Sequence, residues 1–331
     1  MGADYIYAAA EIRGKEHKLL RKEQLSAMTE TGNMDDVCKV LQDADYGKED
    51  VVITPKNYEQ ILKEEEQKVF DLIIELSKED RVFDIFRLPY DYHNIKVLLK
   101  SEFLQIDRTA LLSPNGTFEI NEMIRCVNER DHMTLTEKMS QAIEEAVDSH
   151  ARTKDPQKID IICDRYCFEE MLEVAESEKN KFALGYLKLW IDTINLKTFA
   201  RIRKMNQPWS VLETVFISGG NVELPIFVEI FDADSKNIEE KLAPTDIASA
   251  VIEGADAFAP DGSFTKLEKA CDNLLIEYVQ DAKTITFGPE PLMAYLIAKQ
   301  MEIKCVRIIM TGRLGNMDPK VIMERMRETY E

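Results

Sequence analysis

The sequence predicts an all-α fold. Apolar residues recur at helical spacing along most of the 331 residues, and helix-start signals recur at Asp-Pro, Thr and Asn positions. Alternating stretches of the kind a half-buried strand needs are almost absent. Hydrophobic residues make up 45% and charged residues 31%, a globular profile with enough chain to bury a large core.

The elements follow in order. Residues 4–28 carry apolar positions at helical spacing and end in the polar turn TETGNMDD. Asn33 or Asp35 is placed to cap a second short helix through Leu41. DYGKEDVVITP (45–55) reads as a loop, with Val51–Ile53 briefly extended. A helix over 57–78 has Tyr58, Ile61, Leu62, Val69, Leu72, Ile73 and Leu76 as its stripe and KEEEQK as its wet face. Pro89 suits the first turn of the next helix, and SPNG (113–116) is a turn. Thr134 with Glu137 forms a capping box for a helix to 150, and Asp155-Pro156 opens another to 178. A long helix spans 181–206, and a short one begins near Pro208. Gly219-Gly220 breaks the chain, and Pro225 opens another short segment. Thr245 or Asp246 caps a helix to 257, and Thr265 with Glu268 forms a second capping box for a helix to 280. KTITF (283–287) is a candidate extended segment. GPEP (288–291) starts the next helix, and Asp318-Pro319 caps the last, 319–330.

One short pattern occurs three times on these helices: DYHNIK at 91–96, DTINLK at 192–197 and EIKCVR at 302–307. Each is an acid, two variable residues, Asn or Cys, an aliphatic residue and a base. The starts are 101 and 110 residues apart, which points to one helical unit used three times. The expected units are 1–115, 116–222 and 223–331. A Gly turn follows each of the first two copies, with Gly116 22 residues past Asn94 and Gly220 25 past Asn195.

On a helix, positions i, i+3, i+4 and i+7 share a face. That places Asp91 and Asn94, Asp192 and Asn195, and Glu302 and Cys305 at the head of an apolar stripe. Polar groups entering such a stripe need hydrogen-bond partners, which are expected on neighbouring helices. The motif has no nucleophile or metal geometry, so its expected role is structural. The bases Lys96, Lys197 and Arg307 point about 140° away from the acids. Each is expected to pair with an acid on an adjacent helix of its own unit.

Composition excludes several classes. A net charge of −19 argues against a nucleic-acid or anionic-membrane surface and leaves room for a basic protein partner. No apolar run reaches the length of a membrane span, and the N-terminal stretch fits neither a secretory signal nor the myristoylation pattern. The six scattered cysteines read as reduced packing thiols. Cys163 and Cys167, at i and i+4, could touch one metal, but no His or second Cys pair lies near.

Catalytic patterns fail one by one. Gly47-Lys48 is followed by Glu49 and has Gln42 where a phosphate loop needs its first glycine. DADSKN (232–237) has Lys236 in place of a calcium ligand and Asn237 in place of the turn glycine. HExxH, GxSxG and CxxC are absent, and the histidines at 17, 93, 132 and 150 are dispersed. No catalytic, cofactor-binding or metal-binding residue is expected.

Three longer stretches point to a family. RLPYDYHNIKVLLKSEFL, the N-terminal YIYAAAEIRGKEHKLL with LQDADYG, and the closing EPLMAYLIAKQMEIKCVRIIMTGRLGNM together resemble the C subunits of archaeal and bacterial V-type (A-type) ATPases. The eukaryotic counterpart is the V-ATPase d subunit. The resemblance covers the whole chain. Cys305 departs from it, since Asn is expected there by analogy with the other copies.

The resemblance implies a funnel-shaped body of three similar helical units about a pseudo-threefold axis. It implies one copy per complex, a monomer when isolated, on the cytoplasmic side and peripheral to the membrane. Its implied partners are the central shaft subunits and the membrane rotor ring of proteolipid subunits. Its implied role is to transmit torque between them without binding nucleotide. On that reading Lys96, Lys197 and Arg307 become candidate interface residues for the shaft. A generic all-helical scaffold is the alternative, but such arrays repeat every 20–50 residues rather than about every 100.

Overall fold

The computed structural model describes residues 5–47, 51–131, 133–259 and 261–330. Part of the first predicted helix, Lys48 and Glu49 of the rejected phosphate loop, and His132 lie outside the described residues. Among the described residues there are sixteen α-helices and no strand. In chain order they are α1 (Ile6–Glu16), α2 (Lys22–Glu30), α3 (Met34–Asp43), α4 (Tyr58–Ser77), α5 (Asp84–Leu104), α6 (Ile120–Glu129), α7 (Glu137–Thr153) and α8 (Gln157–Ser177). Then come α9 (Lys181–Lys204), α10 (Trp209–Val215), α11 (Leu224–Glu229), α12 (Ser235–Leu242), α13 (Ala248–Glu253), α14 (Thr265–Gln280), α15 (Glu290–Leu314) and α16 (Pro319–Arg325).

Several elements differ from the sequence expectation. The single helix expected over 4–28 is two, α1 and α2, because the chain turns at residues 17–21. Pro89 lies inside α5, which starts earlier because Ile85 and Phe86 extend the buried stripe. The cap of α7 is Thr136, whose side chain accepts from the Met139 N–H; Thr134 instead lies beside Cys126. DADSKN holds the start of α12, where the Asp234 side chain accepts from the Asn237 N–H. Thr265 is the first residue of α14 rather than its cap. Neither 51–53 nor 283–287 is a strand, and a 3-10 turn covers Asp281–Thr284. The last helix stops at Arg325, and 326–330 run on without helix.

The chain forms two compact units: Met1–Glu79 with Asp232–Glu331, and Asp80–Phe231. In the first, α15 packs against α1, α2, α4, α14 and α16. Its core includes Leu25, Met28, Val37, Leu41, Leu62, Val306, Ile309 and Ile322, all buried. In the second, α5 packs against α6, α7 and α8, and α9 packs against α8 and α10. Phe199 of α9 anchors an aromatic group there, its ring centroid 5.4 Å from Phe227 and 5.9 Å from Phe231. All six cysteines are buried and unbridged, and burial pushes the Cys163 thiol up to about 12.

Candidate functional site

The three motif copies lie on the three helices α5, α9 and α15. Asp91 is fully buried on α5. It accepts from the Thr117 N–H at 2.8 Å, the Thr117 hydroxyl at 2.8 Å and the Phe118 N–H at 3.2 Å. One turn later Asn94 makes a reciprocal pair with the backbone of Ser113. Its Nδ2 donates to the Ser113 carbonyl at 2.8 Å and its Oδ1 accepts from the Ser113 N–H at 2.8 Å. The two side chains thus clasp the turn 113–118. A charged acceptor meeting several donors recovers part of the cost of its own desolvation, each such bond contributing about 1.5–3 kcal/mol.

The second copy repeats this geometry. Asp192, also fully buried, accepts from the Asn221 N–H at 3.0 Å and the Val222 N–H at 3.0 Å. Asn195 donates to the Ile217 carbonyl at 2.7 Å and accepts from the Ile217 N–H at 3.0 Å. Both turns need glycine at the same place. A Cβ on Gly116 would sit 2.1 Å from Asp91 Oδ1, and one on Gly220 would sit 2.2 Å from Asp192 Oδ1. The partners of both acid-amide pairs given above therefore lie in turns, as backbone groups and the Thr117 hydroxyl, rather than on neighbouring helices as the sequence suggested. A turn offers adjacent unsatisfied N–H groups, which a helix interior does not.

The third copy takes its turn from the opposite end of the chain. Glu302 accepts from the Leu20 N–H, in the break between α1 and α2. The register matches the other two. Helix α2 begins at Lys22, two residues past Leu20; α6 begins at Ile120, two past Phe118; α11 begins at Leu224, two past Val222. The acid here is Glu, one methylene longer, and no glycine precedes Leu20. Cys305, buried, accepts from the Arg327 backbone N–H rather than gripping the turn. Burial pushes its thiol up to about 11.

Glu302 also binds two groups outside the motif. The Tyr46 hydroxyl donates to it at 2.5 Å, and Lys299 Nζ donates at 2.7 Å. Lys299 also pairs with Glu65 of α4 at 3.1 Å and lies 4.3 Å from the Tyr46 ring centroid. Burial works against the Lys299 charge, but Glu302 and Glu65 outweigh it and hold the ammonium above its ordinary range. The sequence signal was Lys299 standing alone in the apolar run EPLMAYLIAKQM, three residues before Glu302.

The three bases differ from one another, and none pairs within its own expected unit, because the acid that reaches each paired base stands on a helix from another third of the sequence. Lys96 pairs with Asp164 of α8 at 2.6 Å, and Arg307 pairs with Glu59 of α4 at 3.2 Å. Lys197 is half-buried and makes no ion pair or hydrogen bond among the described residues. No group of three metal-ligating side chains occurs among the described residues, and no described helix is long and apolar enough to cross a membrane.

Asp91 gives a pH test of the clasp. Burial pushes its carboxyl up to about 6, against the pull of the Thr117 and Phe118 hydrogen bonds. The folded state therefore takes up this proton before the unfolded chain does. Its contribution to stability is full below the ordinary carboxylate pKa and is lost as pH rises through about 6. The Asp91 carboxyl carbon resonance is expected to titrate near pH 6. A midpoint below about 4 would show that the donors outweigh burial.

Comparison with known proteins gives a consistent picture. The profile of the ATP synthase (C/AC39) subunit family matches residues 8–325. The chain is 26% identical over 320 residues to the C subunit of the V-type sodium ATPase of Enterococcus hirae, covering 97% of each protein. It is 22% identical to the C subunit of the A-type ATP synthase of Methanocaldococcus jannaschii, over 97% of this chain and 85% of the relative. The corresponding protein of Methanosphaera stadtmanae is 22% identical, over 97% of this chain and 87% of the relative.

Proposed function

The chain belongs to the ATP synthase (C/AC39) subunit family, and from that premise we propose that it is the non-catalytic central-stalk piece of a rotary V-type or A-type ATPase. It sits between the central shaft and the membrane rotor ring of proteolipid subunits and passes torque from one to the other. It acts as one copy per complex, on the cytoplasmic face and peripheral to the membrane. The observation that carries this reading is the end-to-end family match over residues 8–325.

The geometry supports it. A torque-bearing joint must resist deformation, and close-packed helices do so because their interiors have low compressibility. A long helix must also be fixed to the chain around it, and the three acids do this by gripping a turn that opens the next short helix. Asp91, Asn94, Asp192, Asn195, Glu302 and Cys305 are on this reading structural ties. The recurrence of the same grip at the same register supports three units, near 1–115, 116–222 and 223–331, arranged as a pseudo-threefold funnel.

The experiment is co-purification. A tagged chain, co-expressed with the shaft subunits and mixed with detergent-solubilised ring, is expected to retain both. The isolated chain is expected to hydrolyse no ATP. Retention of neither partner, or turnover of ATP by the chain alone, would overturn the proposal.

A further inference from the structure

We propose that residues 326–330 are a latch that fastens the break between α1 and α2 to α15, and that the first compact unit opens at this seam before the rest of it unfolds. The inference goes beyond the coupling reading and does not depend on it.

The first observation is what the third clasp lacks. In the first two copies the amide grips a residue five before the last N–H that the acid holds: Ser113 stands five before Phe118, and Ile217 five before Val222. Five before Leu20 is Lys15. Lys15 is inside α1, and its carbonyl already accepts from the Lys18 N–H at 2.9 Å. An Asn at position 305 would have no turn backbone to grip there, because a helix has already paired it. Cys305 instead meets the strap 326–330, accepting from the Arg327 N–H. The tie is also long-range. The first two acids reach N–H groups 26–30 residues on, whereas Glu302 and Leu20 are 282 residues apart. Once the third clasp parts, the intervening chain does least to bring its two sides back together.

The second observation is how the strap is held. The Arg327 guanidinium pairs with Asp272 of α14 at 2.8 Å, the two side chains 8% and 7% exposed. The Glu328 N–H donates to Asn273 Oδ1 at 2.8 Å. Lys283 Nζ donates to the Tyr330 carbonyl and lies 4.6 Å from the Tyr330 ring centroid. On the other side the Glu328 carboxylate pairs with Lys22 of α2 at 3.2 Å. Glu328, Thr329 and Tyr330 share one small cleft with Leu19, Leu20 and Cys305. The strap thus runs from α14 to α2 across the seam, held mainly by side chains and not by a helical ladder. The third observation is that lifting it strands no buried charge. Asp272 keeps Lys304 at 2.6 Å, and Glu302 keeps Lys299 of its own helix at 2.7 Å. Losing one of two partners avoids the large cost of an unpaired buried carboxylate. A segment with few anchors and no such cost opens ahead of the packed helices around it.

The test combines hydrogen exchange with thiol labelling of the folded chain. In wild type the N–H groups of Leu20 and Arg327 are expected to exchange together, about tenfold faster than those of Phe118 and Val222. Buried cysteines supply the second readout: Cys305 beside the strap, Cys271 on α14 of the same unit, and Cys163 on α8. Arg327→Ala and Lys283→Met are each expected to speed N-ethylmaleimide labelling of Cys305 about tenfold, with Cys271 and Cys163 unchanged. Cys271 and Cys305 speeding up together would mean that the unit opens only as a whole, and overturns the latch. Cys305 labelling unchanged in both variants overturns it too. Leu20 exchanging no faster than Val222 in wild type does the same, and that result holds even if neither variant folds.

Discussion

Replacing Lys299 by Met is expected to cost about 3–5 kcal/mol of folding stability, because removing one partner of a buried ion pair strands the other. Lys299 is 4% exposed and lies between two carboxylates, Glu302 at 2.7 Å and Glu65 at 3.1 Å. Met fills most of the same volume, so the loss is electrostatic rather than a cavity. Without the ammonium, two like charges face each other in a dry site. The measurement is the urea midpoint, with the slope of the transition unchanged. Adding Glu65→Gln to Lys299→Met is expected to recover part of the loss, since only one buried charge then remains. A Lys299→Met chain within about 1 kcal/mol of wild type would mean that the cluster is open to water.

Asp192→Ala is expected to cost about 2–5 kcal/mol, since it leaves the N–H groups of Asn221 and Val222 without this acceptor and opens a void under Gly220. Hydrogen exchange separates this from general loosening. The amides of Asn221 and Val222 are expected to lose protection well before those in the middle of α9. Uniform acceleration across the second compact unit would mean that the aspartate supports the fold as a whole and not one turn.

The helices are legible in the sequence because their cause is local. The stripe of α4 and the caps at Asn33 and Asp318 each depend on a few adjacent residues. Helix ends are harder to see, because several stop on non-glycine residues in the left-handed region: Lys78 at φ 54°, Gln105 at 54° and Arg130 at 57°. Tertiary packing holds them there, and no local residue announces it. Helix α12 is masked because its start mimics a metal loop, although Asp234 is an ordinary helix cap.

The motif itself is visible in the sequence, and so are the glycines that follow its first two copies. What those glycines are for is not visible. Their lag behind the motif suggests a repeat, but only the folded chain shows the carboxylate occupying the space a Cβ would take. The break between α1 and α2 is hidden, because LLRKEQL keeps helical spacing across it. The carboxylate that holds it, Glu302, lies 282 residues away and no window of sequence contains both. Lys96, Lys197 and Arg307 look equivalent for the same reason, since what tells them apart is an acid on another helix.

The bond from Leu20 to Glu302 has a consequence for biosynthesis. The ribosome releases Leu20 long before Glu302, and at about 5–20 residues per second the wait is roughly 15–60 s. Throughout that interval Leu25 and Met28, which end up in the core, have no α15 to cover them. The nascent chain must shelter this segment from aggregation until α15 has been made.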